Sequence, residues 1–99
     1  MRWTRRPEAA KTAARMATLV RRALRHMEGR RYRSVKRTLN EGVVRATLVG
    51  APMRHIAQTL SAVDRIHARL ALRPDTKSVT IAREELETLL EFWTSRWRQ

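Results

Sequence analysis

The sequence predicts an all-α fold, a small domain of four helices built from two helical hairpins. Four separate segments carry apolar residues at the period of a helix. Glycine and proline divide these segments at Gly29, Gly50 and Pro74. We expect a basic N-terminal hairpin packed on a less charged C-terminal hairpin. The predicted helices span residues 7–28, 32–50, 52–72 and 82–97.

A length of 99 residues suits one domain with a small core. We expect residues 1–6 to form a basic arm and residues 7–99 to form a single helical domain. Cysteine is absent, which excludes disulfides and thiolate metal sites and favours a cytoplasmic location. The longest apolar run, residues 46–53, contains Gly50 and Pro52, so we expect no membrane span and no membrane partner.

The first helix is predicted to be amphipathic, with a basic ridge. Pro7 suits the first position of a helix, and Glu8 complements the positive end of the helix dipole. The apolar face is mostly alanine, which is too shallow to hold the helix on an anionic membrane. This face comprises Ala9, Ala13, Met16, Ala17, Val20, Ala23, Leu24 and Met27. The opposite ridge comprises Lys11, Arg15, Arg22, Arg25 and His26.

The second helix is predicted to be apolar on two sides. We expect Gly29 to cap the first helix and Tyr32 to begin the second. Gly42 inside the pattern indicates a close helix crossing or a bend. Val44 and Leu48 lie off the core stripe, as in a central helix or a helix at a subunit interface. The core stripe comprises Val35, Leu39, Gly42, Val43, Ala46 and Val49.

The third helix is predicted to follow Pro52 with one continuous apolar seam. The seam comprises Met53, Ile56, Ala57, Leu60, Val63, Ile66, His67 and Leu70. The segment from Ile56 to Leu60 also resembles the first helix of a helix-turn-helix motif. The residues that follow, 61–66, depart from that motif because they lack its usual glycine.

The fourth helix is predicted to begin after a loop over residues 72–78. Val79, Thr80 and Ile81 alternate in polarity and predict a short extended piece before the helix. Arg96 and Arg98 would complement the negative end of the helix dipole. The core face comprises Leu86, Leu89, Leu90, Trp93 and Trp97, with Phe92 beside it.

Positive charge is concentrated in the N-terminal half of the chain. Lys and Arg number 22 against 9 Asp and Glu, and the net charge is +13. Residues 1–50 carry 14 basic and 3 acidic side chains, whereas residues 51–99 carry 8 and 6. Arginine, which dominates here, binds phosphate with two donors and stacks on bases. GC-rich coding would also produce an excess of arginine, so composition alone does not assign the function.

The densest charge lies between Arg21 and Arg37, where 8 residues are basic and only Glu28 is acidic. Such a segment predicts polyanion binding, because each neutralised phosphate releases counterions. A solvated charged loop is the alternative. Tyr32 and Trp3 lie among arginines and could stack on unpaired bases. The predicted nucleic-acid contacts are Arg15, Arg22, Arg25, Arg30, Arg31, Tyr32, Arg33, Lys36 and Arg37.

No catalytic or metal-binding pattern is present in the sequence, because its three histidines are scattered and no phosphate loop or nucleophile motif occurs. We predict a non-enzymatic subunit that binds the phosphate backbone of DNA or RNA in a nucleoprotein assembly, largely without sequence specificity. No cofactor and no small-molecule substrate are expected. The second hypothesis is an adaptor or inhibitor whose arginine-rich face binds an acidic protein. The predicted contact patch for other subunits or self-association comprises Val44, Leu48, Phe92 and Trp93.

Overall fold

The computed structural model describes residues 7–95, and these residues confirm the predicted all-α domain of four helices. The helices are α1 (Pro7–Glu28), α2 (Tyr32–Leu48), α3 (Met53–Leu70) and α4 (Thr76–Ser95). The first helix has its predicted bounds, whereas α2 and α3 are each two or three residues shorter than predicted. The predicted arm over residues 1–6, and Arg96, Trp97 and Arg98, lie outside the described residues.

Consecutive helices are antiparallel neighbours, because the connections over residues 29–31, 49–52 and 71–75 are short. The first and third helices each pack against both α2 and α4. The two hairpins therefore close into one bundle. At one end of the bundle α1 ends, α2 begins and α3 ends. At the opposite end α2 ends and α3 begins.

The core is mainly aliphatic and follows the predicted stripes closely in α1. Every residue predicted to face the core from α1 is buried, except Leu24, which is half-buried. The largest fully buried side chains include Trp93, Met16 and Leu39, one each from α4, α1 and α2. A smaller apolar cluster of Val43, Ala46, Ala51 and Ile56 lies where α2 turns into α3.

The close helix crossing predicted from Gly42 is present, between α1 and α2. A Cβ atom at residue 42 would lie 2.5 Å from Sδ of Met16 and 3.0 Å from Cδ1 of Leu19. Both neighbours belong to α1 and are buried. The two helices can therefore approach this closely because residue 42 has no side chain.

The second helix ends at Leu48 because Gly50 takes a left-handed conformation, with φ of 82°. The Gly50 N–H donates to the Thr47 carbonyl over 3.1 Å, and the Ala51 N–H donates to the Ala46 carbonyl over 3.0 Å. These two hydrogen bonds form a Schellman motif. Ala51 then packs in the same apolar cluster as Ala46, which fixes the turn into α3.

The third helix is continuous from Met53 to Leu70, so the helix-turn-helix interpretation of residues 56–66 is wrong. The predicted apolar seam is also wrong at four positions, because Met53, Ala57, Leu60 and His67 are all exposed. Met53 is 71% exposed and Leu60 is 39% exposed, whereas the polar residues His55 and Thr59 are buried.

The burial of Thr59 has a direct explanation in its hydrogen bonds. Its Oγ1 donates to the His55 carbonyl over 2.8 Å and accepts from Nε1 of Trp93 over 3.2 Å. Burying a polar group requires such partners. The indole of α4 therefore selects which face of α3 turns inward.

The predicted partner patch loses Phe92 and Trp93, because both are buried within this domain at 9% and 1% exposure. The Phe92 ring lies edge-on to His55, with ring centroids 5.7 Å apart, and edge-on to Trp93 at 5.3 Å. Their burial contradicts the expectation that these two side chains are exposed to a partner. Val44 and Leu48 are exposed, at 57% and 80%.

The fourth helix begins at Thr76, so the predicted loop is confirmed over residues 72–75 and is wrong over residues 76–78. The extended piece predicted over residues 79–81 is wrong, because these residues are helical. The Asp75 carboxylate accepts a hydrogen bond from the Ser78 N–H over 2.7 Å. The Val79 N–H donates to the Asp75 carbonyl over 3.0 Å. Asp75 is therefore the N-cap, and it starts the helix six residues earlier than predicted.

Candidate nucleic-acid interface

A cleft of about 890 Å³ opens at the end of the bundle where α1 ends and α2 begins. We call it the basic cleft. One wall comes from the N-terminal half of α2, and the other comes from residues 67–72 at the end of α3. No described residue of its lining is acidic. Its five Arg and Lys residues are Arg30, Arg31, Arg33, Lys36 and Arg37.

The corner between α1 and α2 is closed by Arg30. Gly29 follows the last helical residue, as predicted, but the left-handed conformation falls on Arg30, with φ of 60°. The Arg30 N–H donates to the Met27 carbonyl over 3.0 Å, and the Arg31 N–H donates to the His26 carbonyl over 2.8 Å. These bonds form a second Schellman motif, which turns Arg30 and Arg31 toward the cleft.

Gly29 affects the position of the Arg31 side chain. A Cβ atom at residue 29 would overlap the Arg31 guanidinium, whose carbon atom would lie 2.8 Å away. The glycine therefore leaves room for the Arg31 side chain to lie back across the end of α1. In that position the Nε of Arg31 donates to Nδ1 of His26 over 3.1 Å.

The side chain of His26 connects the α1 ridge with the basic cleft. Since Nδ1 accepts from Arg31, the neutral ring carries its proton on Nε2. Burial lowers the pKa of His26, and the positive charges of Arg31, Arg22 and Arg25 lower it further. Arg22 and Arg25 of α1 thus belong to the same electrostatic cluster as Arg31, so the structure brings these predicted contacts together.

One predicted contact, Arg15, lies apart from the cleft. It precedes Arg22 by two helical turns, which is about 10 Å along the helix axis. Arg15 instead lines a separate pocket with Lys11 and Arg45. The predicted set of contacts therefore divides into a group around the α1–α2 corner and one residue near the other end of α2.

Apolar and aromatic surface lies directly beside the cations. Tyr32 lines the basic cleft and is half-buried against the main core, which fixes its position. Leu70 and Leu72 line the opposite wall, and Leu72 is 92% exposed. A ligand that fills the cleft would therefore meet guanidinium groups and an apolar surface together.

His67 and Leu72 were not predicted to line the cleft, because they are about thirty or more positions from the basic segment. The signal that could have located them is the short connection between α2 and α3. A short connection makes these helices antiparallel, so the end of α3 must lie beside the start of α2.

The start of α2 adds to the positive potential of the cleft. The helix has no side-chain cap at Arg31 and no acidic residue in its first turn. Its first N–H groups and the positive end of its dipole therefore face the same region as the arginines. The combined arrangement suits groups with negative charge spread over several oxygen atoms, as in phosphate esters.

Residues 7–95 hold no group of three His, Asp or Glu side chains placed to bind a metal ion. In the same part of the chain, none of the helices combines the length and the apolar character that a bilayer crossing requires. No protein-family model, no curated protein and no solved structure matches this chain.

Proposed function

We propose that this protein binds nucleic acid through the basic cleft, as a non-enzymatic subunit of a larger nucleoprotein assembly. The observation that carries the proposal is the cleft of about 890 Å³, with five Arg and Lys residues and no acidic residue in its described lining. Among the described residues, none of these five cations forms an ion pair. Phosphates would relieve their mutual repulsion and release counterions.

The shape of the cleft favours a single strand as the ligand. A duplex presents its phosphates on a regular convex surface and hides its bases, so it would touch only the rim. A single strand can place phosphates on the arginines and one unpaired base against Tyr32 and Leu72. This chemistry is common to DNA and RNA, and the proposal covers both.

A titration with salt tests the electrostatic part of the proposal. Binding of a fluorescein-labelled single strand is followed by anisotropy at increasing NaCl, with the matching duplex as comparison. Five phosphate contacts predict a slope of about −3.5 in log affinity against log salt, since each contact on a single strand contributes about −0.7. A slope near zero, or tighter binding of the duplex than of the single strand, would contradict the proposal.

Charge-removing variants test the location of the site. Replacing both Arg33 and Arg37 with Ala removes two cations from the cleft and should make the slope less negative by about 1.4. Arg54→Ala is the matched control, because Arg54 is an exposed arginine at the other end of the bundle. An equal change in slope per arginine removed, in the cleft variant and in the control, would show that affinity follows net charge and not the cleft.

The second hypothesis, an adaptor for an acidic protein, would use the same arginines. The exposed Leu72 inside the basic cleft is compatible with it, because protein interfaces combine apolar anchors with charge. Both functions fit the cytoplasmic location predicted from the sequence.

Purification from cells separates the two hypotheses. Co-purifying material that absorbs at 260 nm and is removed by nuclease supports nucleic-acid binding. Clean protein that retains one acidic partner after nuclease treatment supports the adaptor.

A further inference from the structure

Exposed apolar side chains are concentrated at the end of α2 that lies away from the basic cleft. Of the six large hydrophobic residues that are exposed in the described structure, four fall within residues 44–53. We call these four the apolar patch: Val44, Leu48, Val49 and Met53, which are 57%, 80%, 49% and 71% exposed. Grouped exposed apolar residues are typical of protein contact sites.

A pocket of about 170 Å³ lies in the groove between α1 and α2 and adjoins this patch at Val49. We call it the apolar pocket. Val49 belongs to both the patch and the pocket, and Met16, Gly42 and Ala46 also line the pocket. A cavity of about 150 Å³ is large enough to take up benzene. The apolar pocket is therefore the right size for one aliphatic or aromatic side chain.

The rim of the apolar pocket is positively charged. Lys11, Arg15 and Arg45 line it, and no described residue of its lining is acidic. Arg45 has an acidic neighbour in Glu41, whose Oε2 lies 4.0 Å from Nε of Arg45, with both side chains at least half exposed. An exposed pair of this kind contributes little. Arg45 therefore remains available to a carboxylate of a partner.

We propose that the apolar patch and the apolar pocket bind an amphipathic helix of another protein. One apolar side chain of that helix enters the pocket, and acidic residues on either side of it pair with Lys11, Arg15 and Arg45. A second copy of this chain does not fit this description, because it would bring another net charge of +13 to a cationic surface. A lipid bilayer fits it less well, because a flat surface leaves the pocket unfilled.

This site is independent of the proposed nucleic-acid site. Arg33 and Leu48 lie at opposite ends of α2, about 22 Å apart along the helix axis. The molecule is elongated, with principal extents of 45 × 20 × 16 Å. Nucleic acid and an acidic helix could therefore bind the same molecule at once.

The test uses the full chain and a fluorescein-labelled synthetic helix with leucine at every third or fourth position and glutamate between. Two comparison peptides carry lysine in place of glutamate or serine in place of leucine. We expect the leucine–glutamate peptide to bind and each comparison peptide to bind at least about tenfold more weakly. Equal binding of the serine peptide would overturn the proposal, because charge alone would then suffice.

A pair of matched variants tests the location. Leu48→Ser and Leu72→Ser each remove one exposed leucine, from the apolar patch and from the basic cleft respectively, and neither side chain supports the core. Leu48→Ser should weaken peptide binding about tenfold, and Leu72→Ser should leave it unchanged. The reverse order would overturn the proposal. So would displacement of the peptide by a single-stranded oligonucleotide, since that would place both ligands in the cleft.

Binding to vesicles of phosphatidylserine and phosphatidylcholine separates a protein partner from a lipid surface. We expect Leu48→Ser to change peptide binding and to leave vesicle binding unaltered. If Leu48→Ser abolishes vesicle binding without changing peptide binding, the patch is a lipid contact and the proposed helix is excluded.

Discussion

Arg30 occupies a conformation that favours glycine, although Gly29 stands directly beside it in the chain. A residue with a side chain costs about 1 kcal/mol in the left-handed region. Moving the glycine by one position would remove this cost, but it would also remove a cation from the basic cleft. The local strain and the local charge are therefore properties of the same residue.

The variant Arg30→Gly should raise the free energy of unfolding by about 1 kcal/mol, because it relieves the strained backbone. It should also make the salt slope of nucleic-acid binding less negative by about 0.7. Urea denaturation measures the first effect and anisotropy the second. Arg30→Lys is the control, since it keeps both charge and strain. Unchanged stability of Arg30→Gly would show that the conformation costs nothing here.

Thr59 and Trp93 connect α3 with α4 through a buried hydrogen bond of 3.2 Å. Replacing Thr59 by the isosteric valine removes the acceptor and should lower the free energy of unfolding by about 1 to 3 kcal/mol. Thr80→Val is the matched control, because the Thr80 hydroxyl bonds only the carbonyl four residues back, on an exposed surface. Similar losses for both variants would contradict a special role for the bond to the indole.

The hydrogen bond between Thr59 and Trp93 also explains why the inward face of α3 differs from the predicted one. Hydropathy favoured Met53 and Leu60 for the inward face of α3, whereas the structure buries His55 and Thr59. The deciding group is the Trp93 N–H, which lies 34 residues from its acceptor. Periodicity within one helix contains no information about such a partner. In α1 no comparable polar group intervenes, and there the apolar stripe predicted the buried face correctly.

At the scale of elements, caps decide which helix bounds could be predicted. The bounds of α1 followed from Pro7 and Gly29, which are strong signals in any context. The start of α4 was missed because Asp75 and Ser78 occur in a polar stretch that is equally typical of a loop. Only the hydrogen bond from the Ser78 N–H to the Asp75 carboxylate shows that the helix has already begun.

The cap of α4 makes a prediction about pH. The hydrogen bonds from Ser78 lower the pKa of Asp75 below its ordinary value. A carboxyl with a lowered pKa stabilises the fold above its unfolded pKa, and this stabilisation is lost as the pH falls through the folded pKa. At neutral pH, Asp75→Ala should therefore lower Tm, and the difference from the unmodified chain should vanish in acid.

Asp75→Asn is the control for this experiment. Asparagine can cap the helix but cannot titrate, so its Tm relative to Asp75→Ala should remain higher at every pH. Thermal unfolding followed by circular dichroism measures all three proteins. A difference between Asp75→Ala and the unmodified chain that persists in acid would contradict the assignment of the cap to the ionised carboxylate.

At the scale of the whole molecule, the charge of the candidate site was predictable but its shape was not. The cations lie within the contiguous segment Arg30 to Arg37, so their position in the sequence was enough to locate them. The concave wall depends on His67 and Leu72, which reach the site only through the packing of α3 against α2. The bundle therefore places the basic cleft at one end and the apolar patch, with the positively charged rim of the apolar pocket, at the other.

The net charge of +13 predicts opposite effects of salt on stability and on binding. The Debye length falls from about 30 Å at 0.01 M to about 3 Å at 1 M, so salt screens repulsion across the whole domain. Raising NaCl over this range should therefore raise Tm while it weakens nucleic-acid binding. Replacing Arg33 and Arg37 with Gln should reduce both responses, because these two exposed cations face the basic cleft. A Tm that does not increase with salt would mean that the cations are too well solvated to repel one another. In that case a ligand would gain no binding free energy from relieving the repulsion.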